Sequence, residues 1–176
     1  MKKLLALLLV MVMALSLVAC GGNANKGETK EVDMSKYPAD INEWTEKQLL
    51  EYFKEAVPAL QSCEDWYQPH VPYWAGYPFD NCAGTWNDDG DIQIECRTFG
   101  VNNPDTTAEE IEAWKQQFRD DPNHGYVTEE LLLTANSHMA ANVIINYEYT
   151  TDEDVYDALE AAWNNLVTAL NLTPDF

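Results

Sequence analysis

Two runs of alternating residues meet at Gly90, and they constrain the fold more tightly than anything else in the chain. Cys82, Gly84, Trp86, Ile92, Ile94 and Cys96 share one parity, while Thr85, Asn87, Asp91, Gln93, Glu95 and Arg97 share the other. Alternation of this kind is the mark of a strand with one buried face, and a one-residue slip would turn every side chain over. A two-residue turn at Asp89-Gly90 would set Trp86 opposite Gln93 and mix the two sets. A three-residue loop, Asp88-Asp89-Gly90, keeps them apart, sets Trp86 opposite Ile92, and puts Gly90 where such loops need a left-handed residue. In that register Cys82 faces Cys96 in a non-hydrogen-bonded pair. The Cα separation there is about 4.5 Å, at the close edge of the disulfide range. The expectation is a Cys82–Cys96 bridge, with two buried free thiols as the alternative.

Three helices are signalled by their caps. Thr45 is an N-cap with Gln48 as its capping-box partner, and Trp44 and Leu49 occupy the hydrophobic-staple positions. Leu49, Leu50, Phe53, Val57 and Leu60 follow at helical spacing, and Pro58 should kink or shorten this helix. A second helix starts at Thr107 with Glu110 at the box position, shows Ile111, Trp114 and Phe118 as its apolar face, and stops before Asp121-Pro122. A third begins near Thr151, with Asp152, Glu153 and Asp154 at the positive end of its dipole. Val155, Leu159, Ala162, Trp163, Leu166 and Leu170 make its stripe.

Residues 143–150 read as another strand, with Ile145, Tyr147 and Tyr149 on one face. Residues 127–135 fit a strand that pairs with it through a turn at Asn136-Ser137. They also fit a short helix capped by Thr128. The expected fold is a single α+β domain, in the order α–ββ–α–ββ–α. It has a mainly antiparallel sheet of about four strands, with about three helices packed on one face.

The N-terminus has a different character. Lys2 and Lys3 precede an apolar run, Leu4 to Val18, interrupted only by Ser16. The run is shorter than the roughly 20 residues a membrane-spanning helix needs, and it suits the apolar region of a secretory signal. Leu17-Val18-Ala19-Cys20 resembles the lipobox of a bacterial lipoprotein at all four positions. The resemblance covers residues 1–20 only. It implies that residues 1–19 are removed, that Cys20 becomes the new N-terminus carrying a diacylglycerol thioether, and that the protein is anchored in the cell membrane facing outside the cytoplasm. With Cys20 committed to lipid, Cys63, Cys82 and Cys96 remain for disulfide chemistry, which is open outside the cytoplasm. Residues 20–40 read as lipidated Cys and flexible tether. About 20 such residues have a mean reach of roughly 25 Å. The globular domain is expected over 41–176.

Thirty acidic residues oppose ten basic ones, and two of the basic ones leave with the signal. From Asp120 to Phe176 there are eleven acids and no Lys or Arg. Such a surface excludes nucleic acid as a partner, because phosphate binding needs cations, and is repelled by anionic headgroups. It admits cations, basic polymers or basic proteins, or serves simply to keep a displayed domain soluble.

The least ordinary segment is 66–79. Trp66, Tyr67, Tyr73, Trp74, Tyr77 and Phe79 are threaded there with Pro69, Pro72 and Pro78. The prolines mark a loop. Aromatics on such a loop suit recognition of a small molecule, a glycan or a peptide, or else pin the loop to its own domain. Asn87-Asp88-Asp89-Gly90-Asp91 resembles part of a calcium loop, but its first and twelfth ligand places hold Thr85 and Cys96, so turn chemistry is the simpler account. His70, His124 and His138 lack zinc spacing, and no metal or cofactor is expected. Cys63 with His70 has the chemistry of a nucleophile and base without the motif. No phosphate loop, dinucleotide fingerprint or Gly-x-Ser-x-Gly elbow occurs. The expected function is a lipid-anchored, non-enzymatic module that binds a small molecule, a glycan or an envelope protein through 66–79. The alternatives are a small cell-wall-acting enzyme and an accessory subunit of an envelope complex.

Overall fold

The computed structural model describes residues 27–69, 81–98, 107–120, 137–147 and 149–174. Its helices are α1 (Glu46–Ala56), α2 (Ala108–Asp120) and α3 (Glu153–Ala169). Its strands are β1 (Glu64–Pro69), β2 (Asn81–Trp86), β3 (Gln93–Thr98), β4 (Ser137–Ala140) and β5 (Val143–Asn146). The five strands form one antiparallel sheet in the order β1-β2-β3-β5-β4. The chain is thus an α+β domain as expected, with one strand more.

The caps start the helices where local chemistry puts them. Thr45 Oγ1 accepts from Gln48 N at 3.3 Å, and Gln48 Oε1 accepts from Thr45 N at 2.9 Å. The same reciprocal pair joins Thr107 and Glu110, at 3.2 and 2.8 Å. Asp152 caps α3 through Val155 N at 3.2 Å. Helix α1 ends at Ala56, two residues before Pro58, which opens a 3-10 turn (Pro58–Ser62) in its place. The side chains of Ile111, Trp114 and Phe118 lie outside the described residues.

Helices α1 and α3 cover one face of the sheet. Leu49, Phe53, Val57 and Leu60 meet Val155, Leu159, Ala162 and Leu166 over Ala83, Ile94, Cys96, Val143 and Ile145, all buried in a single core. Tyr52 locks the two helices by donating its hydroxyl to Ala162 O at 2.9 Å.

Four expectations are corrected. The β2–β3 hairpin pairs Trp86 with Gln93, Cys82 with Arg97 and Ala83 with Cys96. It is therefore one residue out from the register that the parity of the bulky residues predicts. The turn decides this. Ile92 N donates to Asn87 Oδ1 at 3.0 Å, Asn87 Nδ2 donates to Asp91, and Asn87 N donates to Ile92 O at 3.1 Å. A four-residue loop results, with Gly90 at φ 75°. Small side chains fill the core side of β2, and Trp86 is turned outward, 52% exposed. Cys82 and Cys96 consequently point to opposite faces of the sheet, and they are free thiols rather than a bridge.

Second, the segment read as a loop from Trp66 begins as a strand. Pro69 is tolerated because it is the last residue of a strand at the sheet's end. Third, β5 stops at Asn146, and its hairpin turn is Ala141-Asn142 rather than Asn136-Ser137. Ile145 and Tyr147 are buried, whereas Tyr149 is 57% exposed. Thr150 turns back to Gln93, its Oγ1 donating to Gln93 O at 2.8 Å and accepting from Gln93 N at 3.1 Å. Residues 127–135 lie outside the described residues.

Fourth, the domain starts earlier than residue 41. Lys30 N donates to Ala56 O at 2.8 Å, Tyr37 stacks on Trp44 with ring centroids 4.6 Å apart, and Trp44 Nε1 donates to Pro38 O at 2.8 Å. An aromatic ring has more to gain from burial than a tether has from freedom. Tyr37 therefore holds residues 30–40 against the core. Cys20 and residues 1–26 lie outside the described residues.

Candidate functional site

Strand alternation governs what the aromatic segment can do. Successive residues of a strand point to opposite faces, so Trp66 and Tyr67 diverge. Tyr67 pairs with Ala83 on the helix-covered face, and Trp66 pairs with Gly84 on the other. Their rings lie on opposite faces, although both residues border the groove on the helix-covered side. The other four residues of that set, Tyr73, Trp74, Tyr77 and Phe79, lie outside the described residues. The ends of their connection are nevertheless held, because Pro69 and Asn81 pair across β1 and β2.

On the helix-covered side, a groove of about 500 Å³ opens between α1 and β1. That volume lies within the range of small-ligand sites. Leu50, Tyr67 and Ala83 form its apolar part. Lys47, Glu51 and Lys54 line it from α1, at a spacing that puts all three on one side of a helix. Lys47 Nζ sits 3.7 Å from the centroid of the Tyr67 ring, a cation–π contact that holds a ring still 41% exposed. At the far end Lys54 Nζ meets Asp65 Oδ1 at 2.5 Å, and Lys36 Nζ meets Glu55 at 3.0 Å. Thr85 Oγ1 donates to Glu64 O at 3.1 Å and ties β1 to β2.

On the opposite face, Trp66 lies across Gly84, and Trp86 stands beside Glu64, its partner on β1. Arg97 and Glu95 form an ion pair on the same face. Burial pushes the Cys82 thiol up to about 11, against a smaller opposing effect of Arg97. Cys96, sealed in the core, is likewise raised by burial. Burial, followed by a weaker opposing Lys54, raises Cys63. These thiols are protonated at neutral pH, and a protonated thiol is a poor nucleophile. His70 and His124 lie outside the described residues. His138 is engaged within the fold. Its Nε2 meets Glu160 Oε1 at 2.9 Å, and its ring stacks on Trp163 with centroids 5.2 Å apart. The same Glu160 oxygen accepts from the Tyr147 hydroxyl. Among the described residues no group of three or more His, Cys, Asp or Glu side chains is placed to hold a metal ion.

The spacing of Lys47, Glu51 and Lys54 was open to view in the sequence, but it looked like any solvated helix face. What makes it a groove wall is the neighbouring strand β1, which the prolines disguised. No family model, curated protein or solved structure matches the chain.

Proposed function

We propose that this chain is a lipid-anchored binding protein displayed outside the cytoplasm, and that its ligand occupies the groove between α1 and β1. The supporting observation is the groove's composition. An exposed Tyr67 ring, steadied by Lys47, lies in an apolar trough with Leu50 and Ala83, and charged side chains rim it at both ends. An apolar trough with a few convergent polar groups is the usual build of a small-ligand or peptide site. Tyr is also a residue type enriched at binding hot spots. The anchor is Cys20, within a sequence that matches the lipobox.

The anchor is tested by detergent phase partition of full-length protein and its Cys20→Ser variant. The wild type should enter the detergent phase and the variant should not. The groove is tested by a thermal-shift screen of short peptides, oligosaccharides and small metabolites, run in parallel on the wild type and on Lys47→Ala and Tyr67→Ala. Ligands that raise the wild-type Tm and fail on both variants support the site. Hits that act equally on all three proteins place the site elsewhere.

A further inference from the structure

We infer that the ligand of this groove is an extended, basic peptide that adds to the sheet as a further strand along the outer edge of β1. The inference rests on the α1–β1 groove being a binding site, and it names the class of ligand.

The two edges of the sheet are treated differently. The β4 edge is only four residues long, and Ala140 on it is bridged to Pro174, which has no N–H to offer a further strand. The β1 edge is six residues long and stands at the end of the strand order, and no strand among the described residues pairs with its outer side. An edge of that length spans roughly 20 Å, and its backbone as far as Gln68, before Pro69 with its missing N–H, is a template for an incoming strand.

Both flanks of that edge are furnished. Side chains of an added strand alternate between the two faces of the sheet. Those on the helix side enter the groove, against Tyr67 and Leu50. Those on the other side come up beside Glu64 and Trp66 of β1, with the exposed Trp86 one strand further in, across from Glu64. A compact ligand would use one flank only. An extended peptide uses both, and backbone pairing with β1 supplies the rest of its affinity.

Charge selects the peptide. Glu64, Asp65, Asp88 and Asp89 are exposed at one end of β1 and on the adjoining turn. Lys54 and Asp65 pair there and offset each other, which leaves Glu64, Asp88 and Asp89 in excess at that end, and Lys47 stands near the opposite end, over Tyr67. Basic side chains are therefore favoured at the Glu64 end, and acidic ones are repelled.

The test uses full-length protein in detergent micelles and three octapeptides: alternating Lys and Val, alternating Glu and Val, and the Lys/Val peptide N-methylated at every second residue. The last keeps its charge and loses its ladder hydrogen bonds. The expected result is that Lys/Val alone binds, slows backbone hydrogen exchange across residues 64–69 by mass spectrometry, and binds the Glu64→Lys variant about twofold to fivefold more weakly. Suppose Lys/Val and its N-methylated form bind equally, perturb Tyr67 and leave exchange at β1 unchanged. Strand addition is then wrong while the groove stands. Failure of Lys/Val to bind, or equal binding of Glu/Val, overturns the inference, and the Tyr67 and Lys47 screen then decides the groove separately.

Discussion

The indole of Trp66 packs directly against Gly84, its cross-strand partner. A methyl group at position 84 would come within 2.5 Å of Trp66 Cε2 and Cζ2 and 2.6 Å of the Ile94 carbonyl oxygen. The glycine is there for close approach, not for a turn. Gly84→Ala should destabilise the domain by about 1–3 kcal/mol, the usual cost of overpacking, as read from urea unfolding. Adding Trp66→Ala should recover only part of the loss, because the Ile94 carbonyl stays in place. An unchanged urea midpoint in Gly84→Ala would refute the packing.

Tyr147 is fully buried and donates its hydroxyl to Glu160, which also meets His138. Hydrogen bonds to a charged group contribute about 1.5–3 kcal/mol. Tyr147→Phe keeps the ring's packing against Tyr156 and His138 and removes only that bond, so it should lower stability by that amount in chemical denaturation. A loss below about 0.5 kcal/mol would mean that the hydroxyl contributes no more than an ordinary surface group does.

Stability should fall in alkali, starting with the thiols. Burial raises Cys82 from 9.0 to about 11 and Tyr52 from 10.0 to about 12. The folded chain therefore keeps protons that the unfolded chain has released. Their contribution is whole below pH 9 and is lost as pH rises through 11 for Cys82, and between 10 and 12 for Tyr52. The urea midpoint should decline steadily over pH 9–12, and Cys82→Ala should blunt the first part of that decline. A flat profile would contradict it. Cys63, Cys82 and Cys96 should all alkylate in urea without reductant, and slowly in the native protein at pH 7.

Ala141 opens the β4–β5 turn at φ 50°, a conformation that costs an L-residue about 1–2 kcal/mol. Ala141→Gly removes that cost and adds back roughly 0.5–1 kcal/mol of unfolded-state entropy. The net effect should be a stabilisation of up to about 1.5 kcal/mol, read as a higher Tm. A lower Tm would show that the Ala141 methyl makes packing worth more than the strain.

The helices of this protein could be read from its chain alone. Thr45, Gln48, Thr107, Glu110 and Pro58 act within a single turn of helix, so their chemistry is local and their neighbours in sequence are their neighbours in space. β1 was hidden by its prolines and β4 lies where a turn was expected, whereas β2, β3 and β5 were legible as strands from their alternation. Their register was not, because bulk suggested a pairing that Asn87 overruled. Its amide bonds to Ile92 and Asp91 hold a four-residue loop, and the one-residue offset separated Cys82 from Cys96. The groove was less legible still. Trp66 and Tyr67 are adjacent in sequence and face opposite ways. Lys47 and Tyr67 are twenty residues apart and touch. A groove is made of side chains from different elements, so its walls come into being only once α1 lies alongside β1. The sheet order arises from burying Ile94, Cys96, Val143 and Ile145 together under two helices, a long-range balance that no short run of residues carries.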